Sequence, residues 1–367
     1  MAYHLLFLLL AAGCIIGIYT KPSQKNILLF GSACLIVLFQ SLRWRTGTDW
    51  PPYEEFFRYC LSHPSSFGFE FGYAFLNRAV RTFTDSYTVF LFVECGLTVF
   101  FWTLFIRKMD TQAPCMILLS LFAATVFPIR YTLAAAIILC SYIYILQRRF
   151  IPFLCMVFLA FSIHRTVIVF LPIYFIATKH YSTRTVFLIY LSALAAGFFI
   201  DFVFGNLLQM ASLTYEHMND TVQEKMDAYI SEEASEATRM TPLRIALSLV
   251  NSTFFLVFLS YFRKKFFRQD MLYNMLFNLY LFGICFNRLF IQALPELNRL
   301  TALFTGGFTI MLVMIISRYG RQMRLLLTIL LLIYTYNIYC RVIYGTYEDL
   351  FVPYMSILDN SQRIHVY

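Results

Sequence analysis

What this chain can fold into is limited first by its unbroken apolar runs. Twelve segments (3–19, 26–42, 86–106, 114–129, 131–147, 150–163, 165–178, 185–205, 242–262, 271–287, 300–317 and 325–343) are continuously hydrophobic. Most are roughly 17–22 residues long, and none alternates with the period of a barrel strand. In a bilayer only helices and closed barrels satisfy their own backbone groups. The sequence therefore predicts an all-α, polytopic integral membrane helix bundle of about 12 spans over residues 1–367. Sixty per cent of the residues are hydrophobic and 13% charged, against about 25% charged in a typical soluble chain, so no separate soluble domain is expected. The runs 150–163 and 165–178 are too short to cross about 30 Å at 1.5 Å per residue. They predict either two half-helices meeting below the outer surface or one long bent span.

The net charge of +9 does not indicate nucleic acid, because the cations sit in small groups between apolar runs. Lys21 and Lys25, Arg107 and Lys108, Arg148 and Arg149, Lys179 and Arg184, Arg263 to Arg268, and Arg318 to Arg324 all fall on one side. The positive-inside rule makes that side cytoplasmic and puts both termini outside. Six of the seven lysines follow the rule, yet thirteen of the twenty-two arginines fall at or near the outer side. Topology signalling does not account for that surplus. Phosphate binding does, since guanidinium engages it in bidentate fashion and stays charged when partly buried. No cysteine pair has a metal-ligand spacing such as C-x-x-C, so neither zinc nor disulfides are expected among the nine cysteines.

Three larger outer pieces follow from this topology: 43–85, 206–241 and the tail 344–367. The second is acidic, with Glu216, Asp220, Glu224, Asp227, Glu232, Glu233 and Glu236. Their spacing predicts an amphipathic surface helix, read as a solvated cap or alternatively as a divalent-ion site.

The densest constellation follows the second run: Arg43-Trp44-Arg45-Thr46-Gly47-Thr48-Asp49-Trp50-Pro51-Pro52-Tyr53. Gly47 permits a tight turn and Pro51-Pro52 ends any helix, so two arginines and a carboxylate stand at the membrane boundary. An interfacial anchor would use the same Trp and Arg but needs neither Asp49 nor the turn. Glu70, Gly72, Tyr73, Asn77 and Arg78 come next. Two short turns then place Arg130 and the pair His164-Arg165 between apolar runs, where ionisable groups usually face a water-filled cavity or a partner. Later, Arg288 and Pro295-Glu296-Leu297-Asn298-Arg299 bring guanidinium groups back to the outer boundary. Glu94, Asp201 and Arg244 are read as structural ion pairs, and Val352-Pro353-Tyr354 carries no chemical signal of its own.

The order Arg43-x-x-x-Gly47-Thr48-Asp49-x-x-x-Tyr53, then Glu70-x-Gly72-Tyr73, Arg130, His164, Arg299 and Pro353-Tyr354, resembles the EpsG family of Wzy-like polymerases over nearly the whole chain. The chain departs at Tyr131, where the family often has Gln, at Phe71, where Pro is frequent, and at Arg165, where a small or aromatic residue is common. The resemblance implies a fold similar to GT-C-type membrane glycosyltransferases. It also implies polymerisation of O-antigen, capsule or exopolysaccharide units in the bacterial inner membrane. Donor and acceptor would both be polyprenyl-pyrophosphate-linked oligosaccharides, with a chain-length regulator and a flippase as partners, membrane lipid around the chain and no nucleic acid. On that reading Arg43, Arg45, Arg130, Arg165, Arg288 and Arg299, with Tyr53 and Tyr73, bind pyrophosphate and glycan. Asp49 or His164 is the base, with Glu70 in reserve. The arginines take the place of a metal, so no metal or cofactor is expected. An O-antigen ligase or other lipid-dependent glycosyltransferase would share this chemistry. A lipid-linked oligosaccharide flippase would share the span count but should show paired repeats.

Overall fold

The apolar runs become helices, and the places where they stop are set by local chemistry. In the computed structural model the described residues are 1–47, 50–62, 68–109, 112–127, 130–214, 242–290, 300–345 and 348–359, with 201–214, 242 and 244 described through their backbone alone. The first helices are α1 (Ala2–Tyr19) and α2 (Pro22–Ser41). Pro22 opens α2 at a position where its missing N–H costs nothing. Two short amphipathic helices, α3 (Trp50–Tyr59) and α4 (Phe71–Arg81), follow. On α3 the buried Trp50, Tyr53, Glu54 and Phe57 recur at the spacing of one helical face. Cys60, just past the end of this helix, is buried, and burial raises its thiol pKa.

Next come α5 (Tyr87–Lys108), α6 (Pro114–Ala124), α7 (Arg130–Leu146) and α8 (Phe150–Ile163). At His164 the backbone becomes extended, and a 3₁₀ helix, Arg165–Phe175, follows. Phe150 and Phe153 at the head of α8 contact Tyr174 near the end of the 3₁₀ helix, both at 5.0 Å between ring centroids. The two pieces therefore run back along each other with His164 at the tip. The sequence left half-helices and one bent span as alternatives, and the structure takes the former. Their lengths match: fourteen α residues rise about 21 Å and eleven 3₁₀ residues about 22 Å.

The chain continues through α9 (Thr183–Thr214), α10 (Pro242–Phe266), α11 (Met271–Phe290) and the short α12 (Ala302–Thr305). It ends with α13 (Phe308–Ile316), α14 (Arg321–Ile343) and α15 (Glu348–Phe351). Among the described residues there is no β-strand, and six helices are long and apolar enough to cross a membrane; five shorter apolar helices accompany them. The chain is thus a multi-pass, all-helical membrane protein.

The helices form two compact units, Met1–Tyr174 with Gly306–Tyr367, and Phe175–Thr305. At the centre of the first, α6 packs against α1, α2, α5 and α14. In the second, α9 and α11 pack so closely that a Cβ on Gly197 would overlap the backbone of Arg288.

Candidate functional site

The site is built at one end of the first unit, where the chain leaves α2, enters α4 and α7, and turns at His164. After α2 the backbone enters left-handed conformations at Arg45 (φ 46°) and Gly47 (φ 110°). Glycine adopts that conformation freely. The end of α15 and the tail after it pair with this turn. Arg43 and Ser356 form an antiparallel bridge, the Trp44 N–H donates to Met355 O at 2.9 Å, and the Gly47 N–H donates to Leu350 O at 2.9 Å. Arg43 is thereby drawn inside, only 5% exposed, with its guanidinium 4.8 Å from the Phe127 ring and 5.7 Å from that of Trp50. Such faces stabilise a partly desolvated cation. Arg45 stays exposed beside Trp44. Tyr354 stacks on Phe39 at 4.4 Å and donates its O–H to Phe39 O at 2.8 Å. Burial pushes its phenol up to about 12 against the opposing pull of Arg43, so the proton it donates is retained. The tail segment without a sequence signal is thus a wall of the site.

Glu70 precedes α4 but does not cap it with its side chain. One carboxylate oxygen forms an ion pair with Arg130 Nη1, and the other accepts the Arg165 N–H at 3.1 Å. That N–H opens the 3₁₀ helix, a position that favours negative charge. With both oxygens engaged, Glu70 suits an organising role better than proton abstraction. Gly72 explains itself here: a Cβ would overlap the Ser162 hydroxyl and lie 2.8 Å from the Ser162 carbonyl. Only glycine lets α4 approach the end of α8 and bring Glu70 to Arg130 and Arg165. Arg130 also lies 5.0 Å from the Phe69 ring. Beneath, Tyr53, Phe69 and Tyr73 contact one another at 5.3–5.7 Å, and Tyr73, at 0% exposure, forms the floor.

His164 is buried, with Nδ1 sharing a 2.8 Å hydrogen bond with Thr166 Oγ1 and its ring edge-on to Tyr131 at 5.3 Å. Arg165 keeps its side chain exposed. Glu94 lies close to the arginines of the first unit. Only 2% exposed on α5, it lies within electrostatic reach of both Arg43 and Arg130, and so joins the two arginine positions. Its Oε1 has no hydrogen-bond partner among the described residues. Asp201 and Arg244, read as its partners, lie outside the described side chains.

Arg288 belongs to the second unit, where its Nη2 donates to Ser248 Oγ at 2.8 Å and to Ser252 Oγ at 2.9 Å. Asp49, Arg299 and the acidic residues 216–236 lie outside the described residues. Among the described residues no three His, Cys, Asp or Glu side chains converge as metal ligands. Sequence reasoning missed the nearness of Glu94 to Arg43 and Arg130, and also the contacts of Thr166, Phe69 and Phe127. A carboxylate inside an apolar span was the signal that could have found the first.

The fold and site define a polytopic helical membrane protein with a partly buried arginine–carboxylate–histidine cluster. The profile of the EpsG family matches residues 26–356, and the chain belongs to that family, membrane proteins of the polysaccharide-polymerase type. No curated protein and no solved structure matches it.

Proposed function

We propose that the protein polymerises polyprenyl-pyrophosphate-linked oligosaccharide repeat units on the outer face of the bacterial inner membrane. The growing glycan would pass from its lipid diphosphate onto a lipid-linked acceptor unit. The observation that carries this reading is the Glu70 carboxylate, which holds Arg130 and the head of the helix bearing Arg165 in one cluster beside His164.

In the reaction an acceptor hydroxyl oxygen attacks the anomeric carbon of the donor. The bond from that carbon to the diphosphate oxygen breaks and its electron pair stays on the diphosphate. Arg43 and Arg130 stabilise the charge that develops there, because fixed cations screened from water need no reorganisation. Arg45 and Arg165 are the further cations of this unit for head groups and glycan. His164 takes the hydroxyl proton, as a positioned imidazole can, and Asp49 is the other base to be tested. Tyr53, edge-on to the buried Tyr73 at 5.7 Å, is the proposed glycan contact. The lysines and arginines at the opposite end of the first unit support the outward orientation of the site.

The test is incubation of the purified protein in lipid nanodiscs with polyprenyl-diphosphate-linked repeat units. A ladder of glycan lengths on the lipid is expected. Transfer of a single block to a different acceptor would replace the polymerase reading with a ligase.

A further inference from the structure

A cavity of about 710 Å³ opens between α2 and α5, apart from the arginine site. It is walled by every third or fourth residue of α2 from Asn26 to Leu38 and of α5 from Gly96 to Arg107. Small side chains carve it. Ala33 and Cys34 line one wall, and a Cβ on Gly96 would meet nothing within 4 Å. Phe30 and Phe100, 71% and 56% exposed, stand at its rim. Twelve residues of helix make the groove roughly 18 Å long, about one leaflet of a ~30 Å hydrocarbon core.

Its charge lies at one end. Asn26 and Arg107 line that end, and Arg107 makes no ion pair with a carboxylate among the described residues. The flanking segments 20–26 and 105–113 hold Lys21, Lys25, Arg107 and Lys108 against the single Asp110. An apolar groove one leaflet deep with a cationic mouth is complementary to a lipid whose phosphate sits at that mouth. A polyprenyl diphosphate held at Arg43 would have the opposite polarity, since Arg43 follows the other end of α2.

We infer that this groove is a binding site for one acyl chain of an anionic diacyl phospholipid, with its phosphate on Arg107 and Asn26. The lipid braces two helices that carry the site. Arg43 follows α2, and Glu94 lies two residues before Gly96 on α5. Above the groove the Ser41 hydroxyl of α2 donates to Leu91 O of α5 at 3.3 Å. The binding claim does not depend on the glycan-transfer reading, and its test does not measure transfer.

The experiment is native mass spectrometry and thermal unfolding of the delipidated full-length protein in detergent. The probes are phosphatidylglycerol, phosphatidylcholine and undecaprenyl phosphate. Phosphatidylglycerol should be retained about fivefold better than phosphatidylcholine, the effect of one cation near the phosphate, and should raise the unfolding temperature. Arg107→Gln should abolish that preference and Arg107→Lys keep it. Gly96→Phe, which fills the groove, should lower retention of both phospholipids in a protein that still elutes as a single species. Equal retention of the two phospholipids by the wild type, or a preference that survives Arg107→Gln, overturns the inference. So does displacement of phosphatidylglycerol by equimolar undecaprenyl phosphate, which would assign the groove to the substrate tail.

Discussion

The two ends of the first unit carry the same sign of charge and use it differently. At one end Arg43 and Arg130 are held on aromatic faces, in reach of Glu70 and Glu94. At the other, Lys25 donates to the backbone carbonyl of Gln112, Arg324 to those of Ser317 and Tyr319, and Arg107 and Lys108 are exposed. The first arrangement fixes guanidinium geometry with side chains and suits recognition of a shaped anion. The second satisfies point charges with main chain and water, which is enough to set topology.

Substitutions can break or sharpen this contrast. The largest effect is expected at the turn between the two half-helices, where His164→Ala should lower ladder formation by about 10²–10⁴-fold. Retention of lipid-linked substrate with lost turnover would mark the base; unchanged turnover would move that role to Asp49. Arg130→Lys keeps the charge but loses the fork, and should cost about a hundredfold in initial rate. Glu70→Gln should cost about tenfold. The double variant Glu70→Gln/Arg130→Gln should be no slower than Arg130→Gln alone, because both act through one contact; additive losses in a double-mutant cycle would separate them. Gly72→Ala should destabilise the protein by about 1–3 kcal/mol through overpacking against Ser162, read as a lower unfolding temperature. Adding Ser162→Gly should recover part of it. At the opposite end Arg149→Lys should leave the rate within a factor of about two, since topology needs only the charge; a large loss there would erase the contrast.

The helical membrane fold was legible because apolar run length alone decides between helix and loop in lipid. Run length could not count spans, however. Pro114–Ala124 and the 3₁₀ helix Arg165–Phe175 are apolar but short, and among the described residues six helices meet the length and hydropathy of a full crossing. Arg43, Glu70, Arg130 and His164 were legible as costly groups flanked by apolar sequence. Their contacts were not, because Glu70 meets Arg130 across 60 residues and Arg165 across 95. The nearness of Glu94 to Arg43 and Arg130 was hidden for the same reason, since both lie far from it in sequence. Tyr354 had no pattern of its own, since its stacking on Phe39 spans 315 residues.

The pairing of residues 350–357 with 42–47 makes closure of the wall around Arg43 depend on a segment made about 300 residues later. Arg43 acquires its wall only when nearly the whole polypeptide has left the ribosome and its late helices have inserted. A half-made or prematurely terminated chain would therefore hold the early motif residues in the membrane without a closed site around Arg43.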